Sequence, residues 1–413
     1  MELAACGHLA NEGPFRTCLH LSAEKPRQVV RMYTGHRGDY DLLCEECAGL
    51  DDPRSQLATV CVGCTGQADE RSVSRISGQP EVRRHDRPLT GILHEEPVLV
   101  EPANDRCLVA SGDGWLVYTG LQVVRLGGPS YEVTLPEDEE EDDSFGTPGP
   151  TLHASSDGRF VAVVWDYGRY GAVVDLTDGR VTLQLDRQDY CNFATPFPFA
   201  FLSDGTVVAA TDWNRLDRFD TATGELLTPR DTEQREGEEQ ALDYFHGRLT
   251  VSPTGAWLLD DGWAWHPVGV PVIVALAAWR EGETYAAEQG RELTYRDAWS
   301  QPVAWVSDRV VALQGIGLAE QPVVEGVQLY DAPSGDRLGE VFGLKGQMWG
   351  VDGRLAVAAE GGLEFWDPAE DARVGVLPGY RPTAYNPQTR TFAALDDGVL
   401  RTYRLTEPGA VAL

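Results

Sequence analysis

The strongest constraint on this chain is internal, because a unit of about 40 residues returns in approximate copies along most of its length. The clearest copy is 199–227, FAFLSDGTVVAATDWNRLDRFDTATGELL. It reads as an apolar strand, a turn at Ser203, Asp204 and Gly205, a second apolar strand over 206–210, a third strand closing on Phe219 and Asp220, and a further turn at Thr223 and Gly224. The glycine of each turn supplies the positive φ that a tight hairpin needs, and the aspartate bonds the backbone of its own turn.

An earlier copy starts at Leu152, turns at Ser156, Asp157 and Gly158, and leads through 160–165 and 173–175 to Asp178 and Gly179. Later copies centre on 251–259, where the third strand is hard to see, and on 302–335. Two shorter ones cover 350–367 and 385–403, and a diverged first copy covers 98–118. Short strands repeating at this period form a β-propeller, in which no blade buries both faces of its sheet alone. The expected fold is therefore all-β: a propeller of seven blades, with six to eight compatible with the blurred copies, preceded by a small zinc-binding module. The last copy has three visible strands, and 89–93 reads as a spare one, so that segment is expected to complete the last blade and close the ring. The pattern resembles WD-type repeat proteins over roughly 89–405, with Trp366-Asp367 in the place of that family's Trp-Asp pair. The resemblance implies the propeller fold.

The first ninety residues differ in chemistry. Cys6-Gly-His8, Cys18-Leu-His20, Cys44-Glu-Glu-Cys47 and Cys61-Val-Gly-Cys64 are four short knuckles offering eight ligands. Thiolate and imidazole are zinc's preferred donors, and a Cys-x-x-Cys turn brings two sulfurs to one tetrahedral ion. One or two structural zinc ions are expected, with the Cys44, Cys47, Cys61 and Cys64 knuckles as the foremost site and His36 as a substitute for His8 or His20. This part resembles zinc-ribbon and treble-clef modules. Four protein donors leave no coordination position for a substrate, and metal binding would stabilise a unit too small for an adequate core. The expected divisions are a zinc module at 1–70, a linker at 71–88, a propeller at 89–405 and a tail at 406–413. The linker carries Arg71, Arg75, Arg83, Arg84 and Arg87; it reads as a solvated tether, with docking onto an acidic ring as the alternative.

The net charge is −31, and residues 1–90 contribute 11 Lys and Arg against 13 Asp and Glu, so −29 of it falls on the repeats. Such a surface disfavours a nucleic acid held by its phosphates and favours a basic protein or peptide. No apolar run is long enough for a bilayer, since 268–279 is short and broken by Gly269 and Pro271; no membrane association is expected. The start MELAACGHLA lacks the basic and apolar regions of a secretory signal. A cytoplasmic location is expected, and the preference for Arg over Lys suggests a bacterial genome. The run Glu137 to Asp143 and the insert 228–240 read as solvated acidic loops.

No linear catalytic motif is present: there is no Gly-x-Ser-x-Gly elbow, His-Glu-x-x-His, Walker loop or Gly-x-Gly-x-x-Gly. His85, His94, His153, His246 and His266 read as surface or turn histidines, Cys107 as a core residue and Cys191 as a loop residue. Among the clustered aromatics of the fourth copy, Trp263, Trp265 and Tyr295 are the candidates for an exposed contact surface. The favoured function is a non-enzymatic interaction scaffold. The alternative is a propeller hydrolase or lyase, whose mark would be perturbed carboxylates or histidines converging at the central channel.

Overall fold

The computed structural model describes residues 15–22, 28–33, 40–60, 73–77, 80–136, 143–230, 243–265, 268–296, 299–317 and 324–406. The second repeat shows how a copy folds. Gly149–Ala154, Phe160–Asp166, Tyr170–Asp175 and Arg180–Asp186 pair in succession as an antiparallel sheet. The run Phe160 to Val164 is apolar at every position because both faces of this strand are covered. Val161 and Val163 pack toward the preceding sheet, while Phe160, Ala162 and Val164 pack toward the following one. The first turn holds Gly158 at φ +71°, and Asp157 accepts the Arg159 N–H at 3.0 Å. At the second turn Asp175 accepts from the Thr177 N–H and hydroxyl and from Arg159, and Gly179 takes φ +78°.

Among the described residues six more sheets of this kind succeed one another with it. The first comprises Leu108–Ser111, Gly114–Tyr118, Gln122–Arg125 and Ser130–Glu132; the third, Phe199–Phe201, Thr206–Asp212 and Arg215–Asp220. The fourth holds Phe245–Val251, Trp257–Ala264, Val268–Ala275 and Arg291–Glu292, so the third strand that is obscure in this copy is the Val268–Ala275 segment. The fifth holds Val303–Trp305, Val310–Ile316, Val324–Asp331 and Arg337–Phe342. The sixth is built on Gln347–Val351, Arg354–Ala359, Gly362–Asp367 and Ala372–Pro378, and the seventh on Ala384–Asn386, Thr391–Asp396 and Val399–Leu405.

Each sheet is stacked on the next through its own buried apolar cluster. Leu116 of the first sheet meets Val161, Val164 of the second meets Phe199, Val208 of the third meets Leu258, and Leu259 of the fourth meets Val311. Val327 of the fifth then meets Val357, Phe365 of the sixth meets Phe392, and Ala393 of the seventh returns to Val117 of the first. The circuit is a β-propeller. First strands of neighbouring sheets touch, as Leu108–Ser111 does with both Gly149–Ala154 and Ala384–Asn386, which puts them innermost.

The seventh sheet takes its fourth strand from the other end of the repeats. Gly91–Pro97 runs antiparallel to Val399–Leu405, from Gly91 opposite Leu405 to Pro97 opposite Val399. The closing strand thus begins within the segment expected to supply it and extends four residues further. Gly91 is needed there, since a Cβ at this position would stand 2.4 Å from the ring of Tyr403.

The residues read as a tether are paired at two places. Val73–Ser77 joins the sheet of the N-terminal module, parallel to Val29–Tyr33, and Arg83–Arg87 adds a fifth strand to the sixth sheet, parallel to Ala372–Pro378. Docking is therefore by backbone pairing, reinforced by Asp86 with Arg373 at 2.7 Å and His85 with Glu370 at 3.3 Å. The insert expected to be solvated is anchored at its start, where Thr228 donates to Asp217 at 2.9 Å and Arg230 pairs with Glu288 at 2.5 Å. Residues 137–142 and 231–242 lie outside the described residues.

The N-terminal module is one mixed sheet in the order Leu57–Val60, Phe15–Cys18, Tyr40–Cys44, Val29–Tyr33 and Val73–Ser77. It packs on the fifth sheet through Tyr33, whose ring lies edge-on to Phe342 at 5.8 Å and shares a buried cluster with Ile316.

Candidate functional site

One register brings two knuckles together. Phe15–Cys18 is parallel to Tyr40–Cys44 with Thr17 opposite Leu42, so the two strands end at the same margin of the module sheet. Beyond that margin the chain enters a 3₁₀ turn, Leu19–Ser22, on one side and a short helix, Glu45–Ala48, on the other. Cys18, His20, Cys44 and Cys47 then converge, one donor atom from each lying within 4.8 Å of the rest. His20 Nδ1 is 3.1 Å from Cys47 Sγ and 3.8 Å from Cys44 Sγ, and the Cys44 N–H donates to Cys18 Sγ at 3.2 Å. The three sulfurs are buried thiols and His20 closes the group from the solvent side.

Donors bound tetrahedrally at about 2.0–2.3 Å stand roughly 3.3–3.8 Å from one another, so these four need only a small contraction to hold a metal ion. Burial, with the neighbouring Cys44 and Cys18 adding to it, pushes the Cys47 thiol up to about 12. Three sulfurs cannot all ionise in such a space without a cation among them. A soft divalent ion would supply that charge, and the four protein donors would complete its shell.

Among the described residues, Cys44 and Cys47 are joined by Cys18 and His20; Cys61 and Cys64, expected as the second pair of the foremost set, are not among those residues. Cys6, His8, His36, Cys61 and Cys64 lie outside the described residues.

Within the ring, many of the buried charges are taken up by partners. Asp217 receives Arg215 at 2.7 Å and Arg230 at 3.8 Å, and Asp261 pairs with Arg296. His246 is not a surface histidine: it is buried with Nδ1 at 2.5 Å from Asp260, because its strand is covered on both faces. Cys107 is a core residue as expected, donating to the Pro150 carbonyl at 3.3 Å, and burial pushes its thiol up to about 11. Cys191 is half-buried in a loop. His153 stands on an innermost strand against the ring of Phe199 at 5.2 Å, and its Nε2 has no hydrogen-bond partner. Burial lowers it to about 4, with Asp166 acting against that and Arg248 reinforcing it, so it is neutral at pH 7.

The aromatics gather at one end of the sheets, where each innermost strand begins and each second strand ends. Phe245 opens the fourth sheet and stacks on Trp263 at 4.2 Å and 8°; Trp299 covers Trp263 at 4.9 Å and 17°, and Trp265 follows at 5.7 Å and 29°. Phe145 reaches Trp299 at 5.8 Å from the connection between the first and second sheets, and Tyr190 reaches Trp213 at 5.6 Å. Of the expected contact residues, Trp265 is 61% exposed and Tyr295 is exposed with its hydroxyl donating to Glu292, whereas Trp263 is 2% exposed, enclosed by Phe245 and Trp299. Phe145 and Tyr190, which sequence reading missed, are 40% and 56% exposed. They lie in connections between copies, where no periodicity marks a face.

No helix among the described residues is long and apolar enough to cross a membrane. No family model matches this chain, and no curated protein matches it. Among solved structures it is similar to a chain in one described as "Crystal Structure of Mitotic Checkpoint Complex", with 13% sequence identity and a TM-score of 0.49 over 80% of this chain and 96% of that one.

Proposed function

We propose that this chain is a non-enzymatic cytoplasmic scaffold for a basic protein or peptide. In this reading the seven sheets are seven blades spanning 89–405, and a zinc module at 1–70, joined through 71–88, rides on their flank. The zinc is structural, held by Cys18, His20, Cys44 and Cys47. The observation that supports the scaffold most is the use of charge. Interior carboxylates such as Asp217 and Asp261 are paired with arginines of the fold, leaving the remaining negative charge as an outward field. Such a field raises the encounter rate of a cationic partner and is screened over about 8 Å at physiological ionic strength.

With a partner isolated from the native host, raising NaCl from about 0.05 to 0.5 M is expected to slow association more than it speeds dissociation. An association rate indifferent to salt would refute electrostatic recruitment. A hydrolase or lyase working at the ring's centre is favoured by one observation, the unpartnered Nε2 of His153. That reading requires turnover which His153→Gln abolishes without lowering the melting temperature.

A further inference from the structure

We propose that the aromatic end of the ring is a docking site for arginine side chains of a partner segment. Guanidinium planes would lie on the exposed rings of Trp265, Tyr190 and Phe145, with Asp189, Asp212 and Asp243 at the Tyr190 end. This rests on the scaffold reading and names its contact surface.

Ring packing accounts for Phe245 and Trp263, which are buried, but not for three large rings left in solvent on the same face. They come from three separate segments, two connections between sheets and the margin of one hairpin, so a single local irregularity does not produce them. Contiguous exposed apolar surface of this kind marks an interaction site.

The geometry selects the cation. Trp263 lies against Phe245 at 8°, Trp299 at 17° and Trp265 at 29°, so the rings around it form a stack whose solvent margin is Trp265, while Tyr190 meets Trp213 edge-on at 60°. A planar, weakly hydrated guanidinium extends such a stack; a compact ammonium gains most where several faces enclose it.

Charge agrees with this choice. Asp212 sits beside Trp213, whose N–H donates to it at 2.7 Å; burial raises its carboxyl, and Asp189 adds to that. Asp243 bears on Tyr190, and the exposed Asp143 is two residues from Phe145. Arg215, held by Asp217 at 2.7 Å, bears on Asp212 as well and acts against that rise.

The test uses the full chain and two fluorescein-labelled peptides, (Gly-Arg)4-Gly and (Gly-Lys)4-Gly, compared by anisotropy at about 0.15 M NaCl. The arginine peptide is expected to bind about tenfold more tightly, and Trp265→Ala to remove about that factor while leaving the lysine peptide within about twofold. Tyr190→Ala provides a second exposed-site variant, and unchanged melting temperatures verify that both variants fold. Asp189→Asn with Asp243→Asn is expected to weaken both peptides alike. Equal binding of the two peptides, untouched by Trp265→Ala and Tyr190→Ala, would overturn the arginine site while leaving recruitment by charge intact. Failure of both peptides to bind even at about 0.05 M NaCl would overturn the site and the basic-partner reading together.

Discussion

Cys18 and His20 become partners of Cys44 and Cys47 through the placement of two strand ends, and the consequence can be measured residue by residue. Replacing Cys18 or Cys44 by Ser is expected to lower the metal content of protein purified without added metal by about one equivalent, and to destabilise the module because the bound ion contributes to its folding. Unchanged content by elemental analysis would remove these residues from the site. The Cys-x-x-Cys turn was legible in the sequence since both sulfurs come from one turn. Its convergence with Cys18 and His20 was not, because that depends on the parallel register of Phe15–Cys18 against Tyr40–Cys44, two segments with no shared local pattern. The tryptophans teach the same lesson. Trp263 and Trp265 are two positions apart, yet the first is enclosed by rings from other segments and the second stands beyond the strand end.

At the scale of the element, the recurring unit is a turn closed by the aspartate that ends the third strand of the second, third, fifth and sixth sheets. Asp175, Asp220, Asp331 and Asp367 each accept backbone N–H groups of the following turn, and Asp175, Asp331 and Asp367 also receive an arginine, Arg159, Arg309 and Arg354. This is why the repeat could be read from the sequence even where its tryptophan is replaced. Arg159, with the Thr177 N–H and hydroxyl, holds the Asp175 carboxyl at about 2, below its ordinary 3.8. A carboxylate depressed in the folded state stabilises fully above its unfolded value and loses that contribution as pH falls through its folded one. Melting temperature should therefore fall between about pH 4 and pH 2, and less steeply in Asp175→Asn. At neutral pH Asp175→Ala is expected to cost about 0.5–1.5 kcal/mol, the net worth of the hydrogen bonds that close the turn, since their donors on Thr177 and Arg159 are open to water. Parallel acid limbs for wild type and variant would mean the turn does not depend on this charge. Strands without such a turn were harder to see. Arg83–Arg87 lies at the outer edge of its sheet, largely exposed, so it lacks the alternation that marks a half-buried strand.

The whole molecule depends on how its two ends meet. Seven apolar clusters form an unbroken circuit, and the strand that completes the seventh sheet, Gly91–Pro97, is exposed along its entire length, so its contribution is chiefly a row of backbone hydrogen bonds that leaves no open edge. The repeat announced the ring, and the missing strand of the last copy announced its closure; the position of the module on the fifth sheet, made by Tyr33 against Phe342, was announced by nothing local. The most direct measurement is the melting temperature of two truncated chains, one starting at residue 80 and one at residue 98. The first keeps both Arg83–Arg87 and Gly91–Pro97 and is expected to retain the cooperative unfolding of the ring with little change in midpoint. The second lacks the closing strand and is expected to melt several degrees lower, by roughly the 2–4 °C that each kcal/mol is worth in a domain of this size or more. Equal midpoints for the two chains would contradict a ring closed by pairing its ends.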